Sequence, residues 1–351
     1  MFNIFKGSAP KQLEIGGFEG AITVEKKETI LHAALKQGIP FPHSCRVGGC
    51  ATCKCKLVSG KVKELTESAY ILSEAELDQG YILACQAVPK TDVKIVVDHL
   101  NLSGPNHGVI TSQGTLSAIH KLTHDIVHVV IELDQSLEYT AGQYALLSVP
   151  GVTNEGRSYS FASAPVEGGN KAISFYIREV PGGLVSTWMQ QQAHIGKPVQ
   201  IAGPFGDFYL RDSQQPMLCI AGGSGLAPVK ALLEQAKLSQ CVRDVVFLFG
   251  ARTQSDLYCL EELKQLQSEW IGGGFKFIPI LSAEPEKSDW AGLRGMVTDF
   301  IPKHVQPASQ VYMCGPPAML DAAEAALVKQ GISNNNIFSD KFLDKSFLNT
   351  A

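Results

Sequence analysis

The chain has 351 residues, a formal net charge of −4 and 45% apolar residues. That length exceeds what one hydrophobic core usually serves, so two or three domains are expected. The small acidic excess argues against a nucleic-acid partner, which calls for a basic surface, and no run of 18 apolar residues offers a membrane span. At the N-terminus Lys6 and Lys11 interrupt Phe2, Ile4 and Phe5, so no secretory core is expected there. There are nine cysteines, an odd number, and Cys45, Cys50 and Cys53 crowd one short loop. This favours a reducing cytoplasm with the cysteines on a metal over a disulfide framework.

Three segments follow in order, divided by polar, turn-rich stretches at Asn101–Gly108 and Arg211–Pro216. The domains are expected at 1–103, 104–212 and 213–351. In the first, Ala21–Val24 reads as a strand. Thr29 is placed to cap a helix through Gln37, which Gly38 and Pro40 end. Cys53–Val58 and Val93–Val97 read as further strands of a small α+β unit. Residues 1–17 are expected to be a flexible tail.

The cysteines of this segment form C-x4-C-x2-C, with Cys85 well downstream. This is the plant-type spacing for four thiolates on a [2Fe–2S] cluster. Gly48 and Gly49 give the loop its freedom and amides to donate to sulfur. Structural zinc, the competing reading, favours paired CxxC knuckles. Cys55 falls outside the pattern and reads as a packed free thiol. His43 is not needed as a ligand and reads as structural. Glu64, Glu67, Glu74, Glu76 and Asp78 form an acidic stretch, read first as a solvated face and second as a steering surface for a basic partner.

The second segment reads as short strands: Ile126–Leu133, Tyr144–Val149, Ser158–Phe161 and Ile173–Ile177. They suggest an antiparallel barrel, with one helix at Leu184–Gln192. Arg157-Ser158-Tyr159-Ser160 places an arginine and an aromatic on one strand face and two hydroxyls on the other. The arginine suits pyrophosphate, the ring suits an isoalloxazine, and the hydroxyl of Ser160 suits a flavin nitrogen. Downstream, Pro181-Gly182-Gly183-Leu184-Val185-Ser186 opens the helix, and such a turn suits phosphate. Ser186 is open to a second reading as a plain cap. Together they point to a flavin diphosphate.

In the third segment, buried-type strands Met217–Ala221, Val245–Phe249, Lys276–Leu281 and Gln310–Cys314 alternate with helices Val229–Leu238, Leu257–Gln267 and Ala318–Gln330. That alternation means an α/β doubly wound parallel sheet. Gly222-Gly223-Ser224-Gly225-Leu226-Ala227-Pro228 follows the first strand as G-x-G-x-x-P, a dinucleotide turn with Pro228 in the first helical turn. Arg252 and Asp256 follow the second strand. Asp256 suits the adenine ribose, and no Lys or Arg lies between Thr253 and Leu260 to pair a 2′-phosphate, so NADH is expected over NADPH. The competing reading is that Asp256 only starts a helix. Cys314 and Gly315 end a later strand at the carboxyl edge, where Cys314 reads either as a nicotinamide contact or as a small buried residue. Cys219, Cys241 and Cys259 read as ordinary thiols. Phe338, Phe342 and Phe347 are candidates to cover the flavin, with core packing the competing reading for each.

From about Gly20 to Phe342 the motifs resemble the oxygenase reductases, which join a plant-type ferredoxin to a ferredoxin-NADP reductase-like module. Phe41-Pro42-His43-Ser44-Cys45, Phe249-Gly250-Ala251-Arg252 and Arg294-Gly295-Met296-Val297-Thr298 resemble most the branch that serves membrane di-iron hydrocarbon monooxygenases such as that for xylene. The resemblance implies a multidomain fold: a β-grasp ferredoxin, an antiparallel β-barrel and an α/β domain. It implies FAD held by Arg157, Tyr159, Ser160, Gly183, Leu184, Val185 and Ser186. It implies NADH held by Gly223, Gly225, Pro228, Arg252, Asp256, Cys314 and Gly315, a flavin shield at Phe342 in Asp340-Lys341-Phe342, and a cluster on Cys45, Cys50, Cys53 and Cys85. Ser160, Cys314 and Phe342 would stand at the reacting centre. The implied activity is electron transfer from NADH through FAD and the cluster to a separate oxygenase component, with room for peripheral docking at a membrane. Reductases of Rieske dioxygenases and of deoxysugar dehydratases share the domain set, and a non-enzymatic redox module is a further alternative.

Overall fold

The computed structural model describes residues 9–98, 100, 104, 105 and 107–343. The chain divides into two compact units, one running up to Val109 and joined by Leu343, the other spanning Ile110–Phe342.

The strands of the first unit are β1 (Lys11–Ile15), β2 (Ala21–Val24), β3 (Lys54–Ser59), β4 (Val62–Glu64), β5 (Tyr81–Leu83), β6 (Ala87–Pro89) and β7 (Val93–Val96). Five form a mixed sheet in the order β2-β1-β7-β3-β5, with β1 and β7 parallel; β4 and β6 pair apart. Helix α1 (Ile30–Lys36) starts where Thr29 accepts a bond from the His32 amide, and it buries Ile30, Leu31, Ala33 and Ala34 against the sheet's core. Helix α2 (Glu74–Asp78) carries a capping box between Ser73 and Glu76. The expectation of a flexible tail over residues 1–17 is overturned for Lys11–Ile15. That segment sits inside the sheet, with Leu13 and Ile15 fully buried. Only two apolar residues alternate there between charges, too short a pattern to register as a strand.

In the second unit, β8 (Ile110–Lys121), β9 (Ile126–Leu137), β10 (Tyr144–Val149), β11 (Thr153–Ser160), β12 (Asn170–Arg178) and β13 (Pro198–Phe205) form an antiparallel sheet in the order β11-β10-β13-β8-β9-β12. A bridge between Phe161 and Phe175 closes it into a barrel. Along β9, Val127, Val129 and Ile131 face the core while His128, Val130 and Glu132 face outward, as the alternation required. β8 and β13 went unread, because Ser, Thr, Gly and Pro dilute their pattern. Helix α3 (Leu184–Trp188) is one turn long, not the nine residues expected. The chain leaves it at Met189, and His194 stacks back on Trp188.

The parallel sheet follows as β14 (Met217–Gly222), β15 (Val245–Ala251), β16 (Phe275–Leu281), β17 (Leu293–Arg294), β18 (Gln310–Gly315) and β19 (Ile337–Lys341), ordered β17-β16-β15-β14-β18-β19. Helices α4 (Leu226–Leu238), α5 (Leu260–Ser268), α6 (Ile301–His304) and α7 (Pro317–Lys329) accompany it. β14 and β18 lie next to each other at the centre and are buried on both faces, so their carboxyl ends form the crevice where ligands of such sheets bind. Helix α5 starts three residues later than expected. Cys259, at φ +55°, is left-handed and breaks the helix there.

Candidate active site

In the cluster loop, Arg46, Gly48 and Ala51 all take positive φ, which coils the chain around the sulfurs. A Cβ on Gly48 would lie 2.9 Å from the Gln86 side chain. Amides point inward: Gly49 N donates to Cys45 Sγ at 3.3 Å, Cys45 N to Cys50 Sγ at 3.4 Å, and Cys85 N to Cys53 Sγ at 3.5 Å. Gln86 Nε2 donates to Cys85 Sγ. The side chains gather in two pairs, Cys45 with Cys50 and Cys53 with Cys85. Four sulfurs thus converge under inward-facing amides, a donor set that fits a [2Fe–2S] cluster. Cys55 is fully buried, and burial raises its thiol pKa, in keeping with a packed residue. His43 is buried and bonds the Phe41 carbonyl through Nδ1 at 2.7 Å, a structural role. In the acidic stretch, Glu76 is taken by Lys54 and Ser73, and Glu64 accepts from Ser68.

On the barrel, β11 pairs in continuous register with β10 from Arg157 to Ser160. Arg157 is half-buried and rests on Glu155 and the Gly156 carbonyl. The Tyr159 ring stands edge-on to Phe175. Helix α3 packs against β10 and β11, which brings the Gly183–Ser186 turn beside the strand that carries Arg157. The first intrahelical donor is Thr187 to the Gly183 carbonyl, so the amides of Leu184, Val185 and Ser186 belong to the turn that lacks helical acceptors. The side chains do other work. Val185 is buried in the barrel core, Leu184 is exposed, and Ser186 Oγ accepts from Val180 N and donates to the Gly183 carbonyl. The hydroxyl of Ser186 is therefore engaged with the turn's own backbone and does not cap the helix, whose N-cap is Gly183.

At the crevice, β14 runs into the Gly-rich turn and α4, with Pro228 buried in the first helical turn. The glycines make room for protein as well as for a ligand. A Cβ on Gly222 would lie 2.6 Å from Met319 Sδ, one on Gly223 2.5 Å from Arg178 Nη2, and one on Gly225 2.6 Å from the Cys314 carbonyl carbon. Tyr258 Oη donates to the Gly223 carbonyl. Cys314 is wholly buried, and burial with the nearby Asp340 charge keeps it a protonated thiol.

Asp340, given no role from sequence, proves central. Ser160 Oγ donates to Asp340 Oδ2 at 3.3 Å, and both side chains are buried. Phe342 N bonds the Gly315 carbonyl at 3.0 Å. Ser160 of the barrel therefore meets Asp340 of the parallel sheet, which stands opposite Cys314 in the β18–β19 register. The signal for Asp340 in the sequence was its place two residues before Phe342, near the end of an edge strand. Phe338 is half-buried; it stacks on Tyr312 at 5.1 Å and lies against Arg211, in keeping with a packing role. Phe347 lies outside the described residues.

Asp256 is buried, and both its oxygens are engaged. Oδ2 accepts from Thr253 N and Oγ1, and Oδ1 from Arg252 Nη2 at 3.1 Å. These bonds hold its pKa below the ordinary carboxylate value against the opposing effect of burial. His124 and Asp125 stand beside it, with ligand-type atoms within 4.8 Å of one another, and the Arg252 guanidinium lies among them.

Family models match three stretches: a 2Fe-2S iron-sulfur cluster binding domain over 13–90, an oxidoreductase FAD-binding domain over 113–209 and an oxidoreductase NAD-binding domain over 219–325. They assign a [2Fe–2S] cluster, FAD and NADH to the three segments. The chain is 43% identical to the xylene/toluene monooxygenase electron transfer component of Pseudomonas putida, over 92% of this chain and 91% of that one. It is 35% identical to the toluate 1,2-dioxygenase electron transfer component of Pseudomonas putida, over 90% and 92%. A cytochrome P450 reductase crystal structure from Amycolatopsis superposes with a TM-score of 0.81 at 32% identity, covering 95% of this chain and 98% of that one.

Proposed function

This chain belongs to the family of electron-transfer reductase components of oxygenases, and we propose that its acceptor is the hydroxylase of a membrane-embedded di-iron hydrocarbon monooxygenase. The reductase takes a hydride from NADH, and FAD and the [2Fe–2S] cluster convert that electron pair into single electrons.

In this reading the three domains span 1–103, 104–212 and 213–351. Arg157 and the amides of Leu184, Val185 and Ser186 hold the flavin diphosphate, with Gly183 setting the turn. Tyr159 packs along the flavin. Ser160 turns the lone pairs of its Oγ to the flavin nitrogen, its own proton being held by Asp340. Phe342 excludes water and oxygen from the flavin. Gly223, Gly225, Pro228 and Gly315 shape the nicotinamide crevice, Arg252 and Asp256 take the adenosine side, and Cys314 supplies a small, uncharged wall. The protein's share of catalysis is orientation and exclusion of solvent. Cys45, Cys50, Cys53 and Cys85 hold the cluster.

One observation supports the choice of acceptor. Identity is 43% to a component of a xylene/toluene monooxygenase, against 35% to a component of a toluate dioxygenase and 33% to a phenol 2-monooxygenase reductase, at similar coverage. Among the described residues no helix is long and apolar enough to cross a membrane, so the reductase would dock peripherally, from the cytoplasm. The test is coupled turnover: NADH, this protein, and either membranes carrying a xylene monooxygenase hydroxylase or a purified Rieske dioxygenase. Product with the membrane enzyme and little with the Rieske enzyme is expected. The reverse pattern would move the protein to the dioxygenase branch.

A further inference from the structure

We propose that Asp125 is a positioning residue for NADH: it holds two arginines, Arg178 at the dinucleotide turn and Arg252 on the adenosine side. The inference rests on the NADH-site reading above.

Asp125 lies in the turn between β8 and β9, far in sequence from both arginines. The turn is locked locally. Thr123 Oγ1 donates to Asp125 Oδ1 at 2.9 Å and accepts from Ile126 N at 3.0 Å, while Glu179 N donates to the Asp125 carbonyl at 2.8 Å. With one oxygen committed, Oδ2 faces outward. It stands 3.3 Å from Arg178 Nε, an ion pair whose N–H is not aligned on the oxygen, and 3.7 Å from Arg252 Nη2.

The two arginines come from different places. Arg178 ends β12 of the barrel, and its guanidinium lies against Gly223 of the Gly-rich turn. Arg252 follows β15 of the parallel sheet and is 57% exposed. Two guanidiniums held this close repel unless a carboxylate lies between them. Asp125 is only 22% exposed, so solvent screens this pairing less than at an open surface. A dinucleotide brings a pyrophosphate to the turn, and arginine matches phosphate with paired donors. Asp125 itself would repel that anion. Its part is to keep both guanidiniums in place, not to touch the ligand.

The same atoms argue against a metal. His124, Asp125 and Asp256 could form a ligand trio, but Arg252 already sits among their oxygens as the cation.

Asp125→Asn is the chosen variant, since the amide oxygen still accepts from Thr123 while the charge is gone. KM for NADH is expected to rise about tenfold or more, with kcat little changed, the signature of lost ground-state binding. Flavin content should stay at one per chain. The probe that isolates the effect is 1-benzyl-1,4-dihydronicotinamide, which donates hydride but carries no phosphate or adenosine. Its rate of flavin reduction should be unchanged. If both donors slow together, Asp125 is merely structural and the proposal falls. If neither changes while Arg178→Ala and Arg252→Ala each raise KM for NADH, the NADH site stands and Asp125 has no part in it. If those two arginine variants also leave KM alone, the placement of the NADH site is itself wrong.

Discussion

Ser160 Oγ, at the end of a barrel strand, bonds Asp340 Oδ2, on the edge strand of the parallel sheet, at 3.3 Å with both groups buried. The hydroxyl donates and the carboxylate accepts, so Asp340 takes the Ser160 proton and fixes where the lone pairs of Oγ point. Ser160→Ala removes the hydroxyl and Asp340→Asn removes the charge that orients it. Both variants should retain FAD. Flavin reduction by NADH in anaerobic stopped flow should slow by about 100-fold in Ser160→Ala and less in Asp340→Asn. Equal rates in all three proteins would leave this pair with a purely architectural role.

Two glycines separate backbone conformation from close packing. At Gly225 a methyl group would meet the carbonyl of Cys314, which is backbone and cannot turn aside. Gly225→Ala should therefore push β14 and β18 apart at the crevice, costing about 1–3 kcal/mol and weakening NADH binding. At Gly182 nothing lies within 4 Å, and only the φ of +74° resists a side chain. Gly182→Ala should cost about 1 kcal/mol with NADH binding intact. Thermal melts and NADH titrations of the two variants check the contrast.

Cys50 and Cys55 are five residues apart and belong to different chemistry. Cys50→Ser should abolish the cluster signal and NADH-driven cytochrome c reduction, while hydride transfer to the flavin continues. Cys55→Ser should keep the cluster but lose about 1–3 kcal/mol, because its hydroxyl would be buried in an apolar core. Electron paramagnetic resonance of the reduced proteins distinguishes the two; a cluster signal surviving in Cys50→Ser would overturn the ligand assignment.

What was legible in the sequence followed strong local patterns. C-x4-C-x2-C with a distant cysteine located the cluster loop, and the long alternation of Ile126–Leu133 located a barrel strand. The turn after Met217–Ala221 was visible for the same reason: an apolar run, glycines and a proline in fixed order. What stayed hidden depended on distant partners. β1 shows only Leu13 and Ile15, and its burial comes from strands at both ends of the domain. Asp340 acquires meaning only through Ser160, 180 positions away. The helix expected at Leu257 failed because Cys259 adopts a left-handed conformation, which no periodicity reveals. Ser186 reads from sequence as phosphate ligand or cap, and its hydroxyl bonds Val180 and Gly183, residues before the helix, which no local pattern reveals.

Glu76 sets an acid limb to the stability of the first unit. Its pKa is lowered to about 2, first by Lys54 and then by the amide and hydroxyl of Ser73. A depressed carboxylate stabilises the fold above its unfolded pKa of 4.5, and that contribution is lost as pH falls from there toward 2. With the side chain 28% exposed, solvent screening reduces the effect to on the order of 1 kcal/mol. Glu76→Gln should be less stable than the parent at pH 7, and the gap should shrink steadily below about pH 5. Urea titrations across that range measure it; a gap that stays constant with pH would mean the capping geometry, not the charge, matters.

We propose that Asp256 and Arg252 together set the choice of dinucleotide. Sequence alone suits the Asp256 carboxylate to the adenine ribose, and its oxygens also accept from Thr253 and Arg252. The carboxylate therefore acts on selectivity in two ways: it adds negative charge near the ribose, and it occupies a guanidinium that a 2′-phosphate would otherwise attract. Asp256→Ala removes both effects and leaves Arg252, already 57% exposed, free to pair with phosphate. The expected result is a gain in kcat/KM for NADPH of about tenfold, with a smaller loss for NADH. Adding Arg252→Ala should cancel the NADPH gain if the freed guanidinium is its source. A gain that survives in the double variant would assign selectivity to the lost negative charge alone.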